Sequence, residues 1–251
     1  MKKSLEIIMD IGEQMMISGA EISRVEESIQ HLGRAFGAKR TDAFIITSNM
    51  EVSLHDENDA SYTQTRRVLN IGTDIEKLHR LNDLIRKICA KNISEEEIKA
   101  RIEEIKCGTV YSFSVIMLAY GLISGAFALF FGGGVIEAVC SFIIGIILSL
   151  IVKATERASL NKIFARFFCS FAATLLAFFC LKLGIVSSVD HIIIGNIMLL
   201  IPGVGLTVAI RDLFAGDNLS GALRSIEVVL FAIAIAGGYF LSAGIMGGIA
   251  I

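Results

Sequence analysis

Residues 201–227 read IPGVGLTVAIRDLFAGDNLSGALRSIE, and the fold turns on how this stretch is placed. It holds the chain's single proline, Pro202, inside a long uncharged run. Proline has no backbone N–H, and its ring clashes with the carbonyl four residues back, so a helix kinks or breaks there. Gly203 and Gly205 follow at once and weaken helix propensity further. Arg211, Asp212, Asp217 and Arg224 come just where the apolar run ends. A broken helix inside a bilayer bares polar backbone, which is tolerated only beside protein or a watery cavity. The stretch therefore reads either as part of a transport pathway or as a kink followed by an ordinary charged loop.

The rest of the chain supplies the context. Of its residues, 54% are apolar and the mean hydropathy is +0.67. Soluble domains hold roughly 45–50% apolar residues even with glycine counted. Charge is uneven: residues 1–106 carry 16 Lys/Arg and 19 Asp/Glu, residues 107–251 only 7 and 6. This predicts a membrane protein with a small cytoplasmic α+β domain (1–106), followed by an all-α bundle of five transmembrane helices (107–251). A net charge of −2 and no basic stripe give nucleic acid nothing to bind. The five cysteines form no CxxC pair, so neither a disulfide framework nor a metal site is expected, and nothing calls for a cofactor. MKKSLEIIMD lacks the apolar core of a secretory signal, so the charged half is expected to stay in the cytoplasm.

Within 1–106, Leu5, Ile8, Met9, Gly12 and Met15/Met16 recur at helical spacing. Ser18 with Glu21 reads as a capping box for a second helix buried through Ile22, Val25, Ile29, Leu32 and Phe36. Residues 43–54 read as a strand with Met50, Val52 and Leu54 inward, 56–60 as a turn and 61–69 as the return strand. Thr73/Glu76 and Ser94/Glu97 read as capping boxes for two further helices. His55 and Asp56 match no catalytic template, so a regulatory, docking or gating role is expected here and enzyme activity is not.

A span takes about 20 mostly apolar residues. Residues 111–131, 135–152, 164–181, 191–210 and 227–249 fit. Lys153, Arg157, Lys162, Arg211 and Arg224 then fall in inner loops and Lys182 in an outer one, which keeps the amino-terminal domain inside and the carboxyl terminus outside. Pro202 lies eleven residues from His191. That is about 16 Å, near mid-bilayer, where transporters place substrate. The expected substrate pathway is Asn196, Pro202, Gly203, Gly205, Thr207, Arg211, Asp212 and Asp217, with the carbonyl of Met198 freed by the proline. Glu137 and Arg166 are the candidates for ion coupling, against the plainer reading that both reach water from near the span ends. Gly121-x-x-x-Gly125 and Gly244-x-x-x-Gly248 read as helix-packing motifs.

SGAEISRVEESI (18–29), TSNMEVSL (47–54), TQTRRVLNIGTDIEKLHRLNDLIRKI (63–88) and IPGVGLTVAIRDLFAGDNLSGALR (201–224) together resemble the threonine/serine exporter family. The likeness runs over nearly the whole chain, and its most specific part is the series of Pro202, Gly203, Arg211, Asp212, Gly216, Asp217 and Gly221. It implies a secondary exporter of small metabolites in the bacterial inner membrane, carrying amino acids such as threonine and serine or dicarboxylates such as succinate. It further implies the split type, in which a separate five-span protein supplies the other half; a homo-oligomer is the variant. No G-x-x-x-x-G-K-[ST] occurs, so ATP-driven transport is not expected. The competing reading is a membrane-anchored cytoplasmic sensor or hydrolase-like domain, but an anchor needs one span and no broken helix.

Overall fold

A computed structural model describes residues 1–69, 71–108 and 111–247. The chain is mostly helical with one small sheet: α1 (Lys2–Ile17), α2 (Ile22–Ala35), β1 (Arg40–Ile46), β2 (Asn49–His55), β3 (Ser61–Arg67), α3 (Ile75–Cys89), α4 (Glu95–Cys107), α5 (Phe113–Phe130), α6 (Val135–Arg157), α7 (Lys162–Lys182), α8 (Asp190–Ile197), α9 (Gly203–Ala215) and α10 (Asn218–Gly247). Contacts divide it into two compact units. The first is Met1–Thr109 with Gly203–Ile226, the second Val110–Pro202 with Glu227–Ile251.

In the first unit α1 is the buried centre. Ile8, Met9, Ile11, Met15 and Met16 are fully enclosed, each burial contributing roughly 1.5–3 kcal/mol. Gly12 lets the neighbours approach, since a Cβ there would lie 2.6 Å from Met50 Cε and 3.2 Å from Ile29 Cδ1. The sheet is antiparallel in the order β1-β2-β3, with Ala43 opposite Val52 and Glu51 opposite Thr65. Met50, Val52 and Leu54 point inward as the alternation requires. The sequence reading ran 43–54 as one strand, but Thr47 and Ser48 form a turn between β1 and β2, so the sheet gains a third strand. Arg66 ties β3 to α1, with Nη1 2.6 Å from Asp10 Oδ1 and 2.8 Å from Glu13 Oε2.

Two of the three capping boxes differ from expectation. Ser94 caps α4 as read, accepting from the Glu97 amide at 3.3 Å. For α3 the cap is Asp74 rather than Thr73, accepting from the Lys77 amide at 2.8 Å. For α2 the N-cap residue is Glu21 and its own side chain makes no cap bond. Ser18 instead closes α1, and Gly19 at φ +87° completes a Schellman turn through Gly19 N–Met16 O and Ala20 N–Met15 O.

In the second unit α5 and α6 form a tight hairpin across Gly132-Gly133-Gly134, with Gly132 at φ +97°. The Gly121–Gly125 motif does its expected packing: a Cβ on Gly125 would stand 3.0 Å from the Ala138 carbonyl. In α10, Gly238 lies so close to α7 that a Cβ would sit 2.4 Å from the Phe167 carbonyl. Gly244 faces open space, and Gly248 lies outside the described residues, as do the last two residues of the expected 227–249 span.

Among the described residues four helices are long and apolar enough to cross a membrane: Phe113–Phe130, Val135–Arg157, Lys162–Lys182 and Asn218–Met246. The stretch 191–210 is not one helix. It is α8 and α9, separated at residues 198–202, where Pro202 and its glycines end the helical ladder.

Candidate functional site

The charged end of the opening stretch belongs to the first unit. α9 delivers Asp212 into a site where it is fully buried. Its Oδ1 accepts the Ile22 amide hydrogen at 3.2 Å, across 190 positions of sequence. That amide is one of the orphan donors at the start of α2, so Asp212 supplies the cap expected of Ser18. Ser18 Oγ is itself buried without a hydrogen-bond partner among the described residues. Arg224 from α10 completes the arrangement: Nε lies 3.2 Å from Asp212 Oδ2, and Nη2 donates to the Ala20 carbonyl at 3.1 Å. Arg211 Nη1 reaches Glu21 Oε1 at 2.6 Å, near solvent.

The corner between α9 and α10 is what brings Asp212 and Arg224 together. Gly216 turns the chain at φ +96°, and the Asp217 amide donates back to the Asp212 carbonyl at 2.9 Å. Gly221 permits the approach, since a Cβ there would lie 2.6 Å from Leu213 Cγ and 2.9 Å from the Leu213 amide nitrogen. The same α1–α2 turn is held from its other side by Gly72 N–Ile17 O at 2.8 Å and Asp74 N–Ser18 O at 3.0 Å. Burial pushes the Asp212 carboxyl above its ordinary range, opposed by Arg224 and the Ile22 amide. Burial likewise raises Glu26, with the nearby charge of Asp217 adding to it.

The other predicted residues lie elsewhere. Asn196 on α8 is completely buried in the second unit, where Nδ2 donates to Ser141 Oγ at 2.9 Å and to the Ile192 carbonyl at 2.9 Å. Ser124 Oγ donates to Asn196 Oδ1 at 3.0 Å, and Ser141 Oγ to the Ser124 carbonyl at 3.0 Å. This closed knot joins α5, α6 and α8. Arg166 on α7 donates through Nη1 to the Leu200 carbonyl, and its guanidinium lies 4.2 Å over the Phe231 ring. Thus a carbonyl released by the break is satisfied at Leu200 by an arginine from another helix. Glu137 sits in the first turn of α6, its Oε2 where a Gly134 Cβ would come within 2.7 Å. Thr207 is exposed and donates to the Gly203 carbonyl of its own helix at 3.0 Å.

Each unit brings together its own subset of the predicted residues. Arg211, Asp212 and Asp217 meet in the first unit, with Glu21, Ala20 and Arg224 as partners. Asn196 and Arg166 belong to the second unit with different partners. Ser124 and Ser141 were missed as binding partners; the only sequence signal was their place among the small residues of α5 and α6. His55 pairs with Asp42 across the sheet at 3.1 Å, while Asp56 accepts turn amides of Asn58 and Ala60 at 2.9 Å each. No His55–Asp56 dyad is assembled.

Comparison with known proteins agrees with the motifs. The family model ThrE, described as "Putative threonine/serine exporter", matches residues 6–246. A relative named "Threonine/serine exporter" from Corynebacterium glutamicum is 24% identical over 235 residues, covering 91% of this chain. The chain spans about half of that relative, 48% of its length. Proteins named "Probable succinate transporter subunit YjjP" are 26% identical in Klebsiella aerogenes, over 82% of this chain and 80% of the relative, and 25% identical in Escherichia coli, over 94% and 92%. No solved structure matches.

Proposed function

The chain belongs to the threonine/serine exporter family, and from that premise we propose that it is a subunit of a secondary exporter. It moves small metabolites, amino acids such as threonine and serine or dicarboxylates such as succinate, outward across the bacterial inner membrane. The observation that carries this reading is the family match over residues 6–246, which takes in both compact units rather than the charged part alone. The substrates are those in the names of the relatives. No enzymatic role is assigned.

Parity supports the reading of five crossings. Residues 1–109 and 203–226 form one compact body, pinned by Asp212, Arg224 and Arg211, so they lie on one side of the membrane. Three apolar helices, α5, α6 and α7, intervene. An odd number of crossings would separate the two segments, so residues 183–202 cross as well, and the end of α10 makes the fifth. The eight residues of α8 rise only about 12 Å of a roughly 30 Å core. The remainder crosses as irregular backbone, which needs protein or water beside it. This reading moves Pro202 from mid-bilayer towards the cytoplasmic end of the fourth crossing. Asp212 and its neighbours then clamp the cytoplasmic mouth instead of contacting substrate.

An odd number of crossings suits a partner of the same fold inserted in the opposite sense, the inverted repeat of many secondary transporters. That partner is a separate five-span protein, in keeping with the name "transporter subunit" of the YjjP relatives, or a second copy of this chain. Efflux of labelled threonine and succinate from proteoliposomes, with and without the companion, tests the reading. Substrate movement above empty vesicles is expected; none in any combination, with folded protein, refutes it.

A further inference from the structure

Within the second unit, beside the break at residues 198–202, lies a cavity of about 260 Å³ lined by Tyr120, Thr155, Glu156, Lys162, Arg166 and Leu200 among others. We propose that this cavity is the metabolite site of the exporter. Arg166 and Lys162 hold the carboxylate of the cargo, and Glu156 holds an ammonium group where the cargo carries one. The proposal rests on the transport reading above and gives it a place.

Three observations point the same way. The first is charge: two cations and one carboxylate line a single small cavity in a half of the chain that holds only 7 Lys/Arg and 6 Asp/Glu. Lys162 and Glu156 are exposed at the facing ends of α7 and α6, and Arg166 is half-buried one turn further in, where a charge is costly and is kept for a pathway or site. The second is geometry. Guanidinium has five N–H donors in a planar fork suited to carboxylate. Nη1 is committed to the Leu200 carbonyl and the ring of Phe231 lies 4.2 Å below, so the fork is held in one orientation before any ligand arrives. The third is size. A volume of about 260 Å³ falls just under the roughly 300–1,000 Å³ of drug-sized pockets, which suits a metabolite of few heavy atoms.

The wall polarity is matched to such a cargo. The Thr155 hydroxyl donates to the Val152 carbonyl at 2.8 Å, which leaves its oxygen as an acceptor. A zwitterionic amino acid finds both charges answered. A dicarboxylate finds the two cations but meets Glu156 as a repulsive neighbour. The cavity also explains how the irregular backbone near Leu199 and Leu200 is tolerated in the crossing, because polar side chains and water can reach it.

The test is transport kinetics of the full chain in proteoliposomes, with and without its companion, for threonine and for succinate. Arg166→Lys keeps a donor for the Leu200 carbonyl but loses the fork; KM is expected to rise about tenfold or more for both cargoes. Glu156→Gln is expected to raise KM for threonine and to leave it unchanged or lower it for succinate. A thermal melt of each variant in detergent confirms folding. If the unaltered chain transports and both variants keep its KM for both cargoes, the cavity is not the site, and this inference falls while the transport reading stands. If the unaltered chain moves neither cargo, both fall together.

Discussion

Replacing Asp212 with alanine removes two things at once. The Ile22 amide, at the buried start of α2, loses its acceptor, and a capping loss of this kind costs about 0.5–2 kcal/mol. Arg224, whose side chain is only 10% exposed, loses its counter-charge, and breaking a buried pair from one side costs about 3–5 kcal/mol. The two losses share one carboxylate and do not add, so Asp212→Ala is expected to destabilise the first unit by about 3–5 kcal/mol. Asp212→Asn separates the contributions: its amide oxygen still accepts from Ile22. Burial already holds the carboxyl above its ordinary range, so desolvation outweighs the attraction of Arg224. Asp212→Asn keeps the cap but still leaves Arg224 without its counter-charge, so it should cost less than Asp212→Ala and more than the roughly 1 kcal/mol of an ordinary hydrogen-bond change. The assay is amide exchange of the full chain in detergent or nanodiscs, read on a peptide over residues 20–26. A 3 kcal/mol loss speeds exchange through opening about a hundredfold. Asp212→Ala/Arg224→Ala should be less destabilised than the sum of its single changes, since the orphaned charge is gone. Unchanged protection of 20–26 in Asp212→Ala, or strict additivity in the double variant, would refute the clamp.

Asn196→Ala leaves the Ser124 and Ser141 hydroxyls without their amide partner, at an expected cost of about 1–3 kcal/mol in thermal unfolding of the detergent-solubilised chain. Glu26 has its carboxyl raised above 4.5 by burial and then by Asp217. A raised folded value means its contribution is complete below about pH 4.5 and is lost as pH rises through the folded value. Melting of the unaltered chain should therefore fall relative to Glu26→Gln as pH climbs above that point; parallel curves would show that Glu26 does not titrate in this way. For topology, single cysteines at Arg157 and Lys182 in a cysteine-free background should react oppositely with an impermeant maleimide in right-side-out vesicles, Lys182→Cys labelling and Arg157→Cys not. Equal labelling would break the parity argument for a fourth crossing.

Much of the architecture was legible because it rests on local rules. The stripe of Ile22, Val25, Ile29 and Leu32 buries as its spacing dictates, and Met50, Val52 and Leu54 turn inward by simple alternation. The break after residue 197 was readable from Pro202 alone, since a missing N–H acts on its own helix. What escaped was every assignment that depends on a remote partner. Ser18 and Glu21 have the spacing of a capping box, yet Ser18 is spent closing α1 and Asp212 caps α2 from 190 residues away. The Thr47-Ser48 turn was lost inside a run whose β propensity continues through it.

The opening stretch shows the division most clearly. Its sequence by itself determined a broken helix and four charges at the end of an apolar run, because proline, glycine and desolvation act on neighbours along the chain. Only the tertiary structure decided what the charges do. Arg211 and Asp212 were read as part of a substrate pathway, and the contacts they make, together with Arg224, are to Glu21, Ile22 and Ala20. Arg166, read as a candidate for ion coupling or else as a residue reaching water, holds the carbonyl at the break and lines a cavity. A charge declares in the sequence that it needs a partner; which partner it finds depends on which distant backbone groups folding leaves unsatisfied within its reach.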